Sequence, residues 1–179
     1  MSDDKKEPWL NYLALTTVII AVCATLSTFK GGSYSTRSVM NQSKAASEWS
    51  YYQAKSIKTY LYELQKDKLD LELLEKGSTM SPSVQTTYKD RIADYTKNLA
   101  RYESEKAEIQ TRALEFEKIR DDSAAHSGAL GLAVIFLQMA ILLCSISALL
   151  KQKLVWALGG AVGLIGVVYF VNGFLLFLK

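Results

Sequence analysis

"YKDRIADYTKNLARYESEKAEIQTRALEF" (residues 88–116) carries Tyr88, Ile92, Tyr95, Leu99, Tyr102, Lys106, Ile109, Ala113 and Phe116 at alternating spacings of four and three. An α-helix turns once per 3.6 residues, so this rhythm places all of them on one side. A seven-residue repeat held this long predicts a coiled coil. Lys106 is its only polar interruption, and the acids and bases between belong to a solvated face. Such a stripe needs a partner helix, and the chain supplies one upstream.

Residues 46–74 repeat the rhythm less cleanly, as Ala46, Ser50, Gln53, Ile57, Tyr60, Leu64, Asp67, Leu71 and Leu74. Between the two segments lies "GSTMSP" (77–82), where Gly77 can end one helix. Ser81 followed by Pro82 is a good N-cap and first-turn pair for the next. The prediction is an antiparallel hairpin of helices about 39–76 and 82–121. Its seam is Ile57, Tyr60 and Leu64 against Tyr88, Ile92, Tyr95, Leu99, Tyr102, Ile109 and Phe116. At a rise of about 1.5 Å per residue each arm reaches roughly 55–60 Å.

"EWSYYQAKSIKTYLYELQ" (48–65) holds more rings than that seam accommodates, because neighbours in sequence point in different directions. Trp49, Tyr51, Tyr52 and Tyr62 are therefore expected to form a second contact face, for self-association or for a partner. The alternative is amphipathic side chains lying along the surface with wet hydroxyls.

Outward from the hairpin, charge almost vanishes. Leu10–Phe29 has no charged residue and the length needed to cross about 30 Å of hydrocarbon, with Trp9 and Tyr12 at its start. "MSDDKKEPW" has more acids than bases, and Val22 before Cys23 fits a lipoprotein cleavage site poorly, so an uncleaved anchor is expected. Residues 129–150 and 154–178 are two further spans joined only by "KQK" (151–153). Lys151 and Lys153 place that loop in the cytoplasm, and Lys5 and Lys6 place residues 1–9 beside it. Residues 30–128 then lie outside the cytoplasm, which in a Gram-negative cell is the periplasm, and Lys179 ends outside. "KGGSYSTRS" (30–38) is read as a helix break between first span and hairpin.

Inside the spans the strongest pattern is small residues. Gly159, Gly163, Gly166 and Gly173 line one face of the third, and Ala14, Thr17, Ala21, Ala24 and Thr28 one face of the first. Such faces let helices approach closely in lipid. Gln138 and Asn172 are expected to hydrogen-bond between helices.

Chemistry is sparse. Residues 30–128 contain 16 Lys and Arg and 15 Asp and Glu, close to neutral, which argues against a nucleic-acid surface. Cys23 and Cys144 both lie in apolar segments, excluding a disulfide framework or thiolate metal site outside the membrane. His126, with Asp121 and Asp122 nearby, is the sole histidine and a poor metal site by itself. There is no phosphate-binding glycine loop and no nucleophile elbow, so neither an enzyme nor a cofactor is expected.

"KKEPWLNYLALTTVIIAVCATLSTFKGG" (5–32), followed by "YSTRS" (34–38) and "WSYYQAKSIK" (49–58), resembles a family of small bacterial membrane proteins catalogued only as a domain of unknown function. The likeness runs over roughly residues 5–75, and the order of one span, a long helical region and two closing spans covers the rest. It implies a bacterial inner-membrane protein and carries no activity, cofactor or catalytic residue.

The expected fold is thus an all-α membrane protein: three transmembrane helices and an extramembrane antiparallel coiled-coil hairpin. The expected role is a non-enzymatic, membrane-anchored scaffold or interaction protein. Its partners are the lipid bilayer and either further copies of itself or another membrane or periplasmic protein. The alternative is an accessory subunit of a transporter or channel complex.

Overall fold

A computed structural model describes residues 8–178, so Lys5, Lys6 and Lys179, used above for orientation, lie outside the described residues. Within them the chain is helical and has no strand. Helix α1 spans Pro8–Lys76, a single 3-10 turn covers Gly77–Thr79, α2 spans Pro82–Leu150 and α3 spans Lys153–Leu175. Each helix carries a stretch long and apolar enough to cross a membrane.

The break expected at 30–38 is absent, because α1 passes through "KGGSYSTRS" without interruption. Two glycines inside a helix cost about 1 kcal/mol each relative to alanine. Tertiary contacts offset that cost. A Cβ on Gly31 would stand 3.3 Å from Leu130 Cβ, so this glycine lets α2 lie close. The Ser127 hydroxyl donates to the Gly31 carbonyl at 3.1 Å, the Ser38 hydroxyl to that of Arg120 at 3.1 Å, and Tyr34 stacks on His126 at 4.6 Å. Helix α2 likewise runs unbroken through 122–128, where the sequence suggested a boundary.

Helix α1 carries two rows of less exposed residues. Its buried and half-buried residues recur every seven positions as Leu13, Ile20, Ser27, Tyr34, Asn41, Glu48, Lys55, Tyr62 and Leu69. A second row is Thr17, Ala24, Gly31, Ser38, Ala45, Tyr52, Thr59, Lys66 and Leu73. On α2 the matching row is Tyr88, Tyr95, Tyr102, Ile109, Phe116, Ser123, Leu130, Leu137 and Cys144.

The described chain divides into two compact units, residues 8–40 with 119–178, and residues 41–118. In the first, α1, α2 and α3 share a core of Ile20, Ala24, Ala133, Leu137 and Ala140. The α3 glycines make that packing possible. A Cβ on Gly166 would fall 2.8 Å from the Leu137 side chain and 3.0 Å from its backbone nitrogen. On Gly173 it would fall 2.4 Å from Leu130, on Gly163 2.9 Å from Ile20, and on Gly159 3.1 Å from Leu143. Hydroxyls in the apolar stretches bond back to their own helix, as Thr17 does to Leu13 at 2.8 Å and Ser27 to Cys23 at 2.8 Å. Asn172 does not bridge helices. Its amide oxygen accepts from Leu178 N at 2.7 Å and caps the end of α3, while Gln138 is exposed.

One end of this unit gathers aromatic and basic groups. Trp9 and Trp156 meet at 6.1 Å, the Trp156 indole donates to the Thr16 hydroxyl at 3.3 Å, and Lys153 sits over Trp9.

Candidate interaction surface

The second unit is a two-helix hairpin, and its contacts run in opposite directions along the two helices. Tyr88 donates to Glu72 at 2.8 Å next to the turn. Farther on, Tyr62 meets Tyr102, Lys55 pairs with Glu105, and Arg112 reaches Glu48 at 3.3 Å. Two helices enclose little interior, so the seam relies on rings and on the stems of charged side chains.

Tyr62 packs edge-on against both Tyr95 (5.5 Å) and Tyr102 (5.4 Å). The Lys55 ammonium lies over Tyr102 at 4.9 Å and Arg101 over the same ring at 5.0 Å. Glu105, through its hydrogen bond to Lys55, has its carboxyl held below the ordinary value, and the same bond raises Lys55. The Tyr102 hydroxyl is lowered, first by Arg101 and then by Tyr62, whereas Tyr62 is raised, chiefly by Tyr102.

These contacts correct the expected docking face. Trp49 donates its indole N–H to Glu117 at 2.9 Å and packs on Tyr52 at 5.7 Å. Tyr52 lies under the Lys106 ammonium, and Tyr62 sits between the two α2 tyrosines. Only Tyr51 stays half exposed, at 49%. Trp49, Tyr52 and Tyr62 thus serve the hairpin itself.

The α1 side of the seam is corrected with them. Ile57, Tyr60 and Leu64 point to solvent, with 60%, 71% and 64% of their surface exposed. The α1 segment carries two apolar rows, and the three-four spacing alone does not choose between them. Within the hairpin Lys55, Thr59 and Tyr62 turn inward instead. On α2, Tyr102 and Ile109 are buried, and Tyr88, Ile92, Tyr95, Leu99 and Phe116 are half-buried.

The residues displaced from the seam form a surface of their own. Ile57, Leu64 and Leu71 recur every seven positions on the outer side of α1, with Tyr60, Leu61 and Leu74 beside them, all exposed. A signal for this existed in the sequence: two apolar rows on one helix, of which only one can face α2.

His126 has one clear role. Its Nδ1 lies 2.8 Å from the Gly173 carbonyl, tying α2 to the end of α3, with Asp122 3.9 Å from Nε2. Asp121 pairs with Arg120 at 2.7 Å instead. Among the described residues no group of three or more His, Cys, Asp or Glu side chains converges.

No curated protein and no solved structure matches the chain. A family model does match, over residues 9–176, nearly the whole length that carries the three helices. By that match the chain belongs to the family described as a domain of unknown function, DUF4337.

Proposed function

We propose that this protein is a non-enzymatic, membrane-anchored helical scaffold or interaction protein, working through the hairpin of residues 41–118. The observation that carries this is the outer row Ile57, Leu64, Leu71 and Leu74, exposed on a helix whose opposite side is already satisfied by α2. A run of large apolar side chains on a helix that is otherwise charged is a contact surface in search of a partner. The three apolar stretches support an anchor in the bacterial inner membrane. Lys151 and Lys153, with Trp9 at the same end, support placing that end in the cytoplasm and the hairpin, read as a coiled coil, in the periplasm.

The test is the native mass of the full chain, extracted gently from its own membranes, with every stoichiometric companion identified. A complex that survives in the parent and dissolves when Ile57, Leu64 and Leu71 become polar supports the proposal. A monomer with no companion overturns it.

A second reading, an accessory subunit of a transporter or channel, is favoured by one observation. A groove of about 190 Å³ runs between α1 and α3, lined by Ile19, Ile20, Gly160, Gly163, Leu164 and Val167. Gly160 faces open space there, leaving room for a neighbouring helix. Exchanging the spans for unrelated ones abolishes such a complex, whereas a complex held by the hairpin persists.

A further inference from the structure

We infer that the groove between α1 and α3 holds one acyl chain of an anionic phospholipid whose phosphate lies against Lys153. This goes beyond the proposed role and is independent of the hairpin. It takes that groove as a lipid site, where the accessory-subunit reading seats a helix.

One stripe of α3 joins the two parts of this site. Lys153, Trp156, Gly160, Gly163 and Val167 recur at spacings of three and four, and so lie on one side of the helix. Gly160, Gly163 and Val167 line the groove, with Thr16 and Ile19 across from them on α1. Thr16 also accepts from the Trp156 indole at 3.3 Å, so the groove continues directly from the Trp9–Trp156 pair. The residues from Trp156 to Val167 span about 16 Å at a rise of about 1.5 Å each. One leaflet of a hydrocarbon layer about 30 Å thick is about 15 Å deep. The groove thus runs from tryptophans suited to the interface to the middle of the bilayer, the path of one lipid chain. Gly160 keeps it open, because a Cβ placed there meets nothing within 4 Å.

Charge selects the headgroup. The Lys153 ammonium sits 6.0 Å over the Trp9 ring, and Lys151, two residues earlier, is exposed. Among the described residues neither lysine has an acidic partner. The acids described in this unit are Asp121 and Asp122, and both stand near His126, by the other end of α3. The mouth of the groove is therefore cationic at the edge of an apolar span, the setting that favours an anionic lipid over a zwitterionic one.

The test is native mass spectrometry of the full-length chain in mild detergent. Phosphatidylglycerol, phosphatidylcholine with the same acyl chains, or inorganic phosphate is added. One phosphatidylglycerol per chain is expected to bind, more tightly than phosphatidylcholine, with inorganic phosphate failing to compete. Lys153→Gln is expected to lower that preference roughly fivefold, the factor equal to about 1 kcal/mol per lysine near an anionic surface, and Lys153→Arg to keep it. Gly160→Leu and Ile19→Trp fill the groove from its two sides, and each is expected to reduce binding of both lipids. Circular dichroism confirms the helix content of each variant, and either groove variant suffices if the other does not fold. Equal binding of the two lipids by the parent overturns the inference, as does displacement of phosphatidylglycerol by inorganic phosphate. A lysine-dependent preference that groove filling leaves untouched also overturns it, because the lipid then lies on the surface. A stoichiometric protein that is lost on groove filling puts a helix there instead, ending the lipid site and supporting the accessory-subunit reading.

Discussion

Lys55 shows how a charged side chain takes a seam position. Its ammonium lies over the Tyr102 ring and is matched by Glu105. Glu105 is held below the ordinary carboxylate value of 4.5, so its contribution to stability is present above that pH and is lost as pH falls through the lower folded value. Lys55 is raised above 10.5, so its contribution is present below that pH and lost as pH rises through the folded value. Melting temperature is therefore expected to fall on the acid side, and Glu105→Gln to make that fall shallower than in the parent. Equal acid slopes in the two proteins would remove this pair from the account. Lys151 offers a second residue-scale test. It ends α2 with φ 53°, in the left-handed region that disfavours a Cβ. Lys151→Gly is expected to stabilise by about 1 kcal/mol, read as a raised melting temperature, and no gain would mean the turn relaxes in solution.

At the scale of elements, the continuity of α1 matters most. Gly32 sits within the helix with nothing within 4 Å of a Cβ placed on it. Gly32→Ala is accordingly expected to stabilise by about 0.5–1 kcal/mol, as in any open helical position. Ser35→Pro removes a helical hydrogen bond and is expected to cost about 3 kcal/mol. If proline at 35 is tolerated without loss of helix signal, the segment is a linker. Helix α3 makes a parallel point about packing. Gly166→Ala has backbone as well as side chain of Leu137 in its way and is expected to cost about 1–3 kcal/mol, whereas Gly160→Ala has open space and is expected to gain about 0.5–1 kcal/mol, like Gly32→Ala. Thermal unfolding of the two variants in the same detergent decides it.

For the whole molecule, the proposed orientation is open to direct measurement. A reporter inserted at Gln152 is expected to be active only in the cytoplasm, and one fused after Lys179 only outside it. The reverse pattern would put the hairpin in the cytoplasm and redirect the search for its partner. Either way, the outer row of α1 stays exposed, because its position depends on the helix phase and not on the side of the membrane.

What the sequence alone determined is that the chain is helical, which stretches are apolar enough to span a membrane, and where the hairpin turns. Uncharged stretches of span length, a three-four rhythm in the centre, and the Gly77 and Ser81–Pro82 punctuation are local properties, and local propensity suffices for them. On α2 the inward residues are also the aromatic and apolar ones, so composition points to them directly. Two things were decided only by tertiary structure. Packing against Leu130, Ser127 and His126 keeps the glycine-bearing stretch at 30–38 helical, overriding a propensity that favours a break. Within the hairpin, packing on α2 turns Thr59, Tyr62 and Lys55 inward and leaves Ile57, Leu64 and Leu71 outside. A helix has a single rotation about its axis. When it bears two candidate faces, the choice between them belongs to what it packs against.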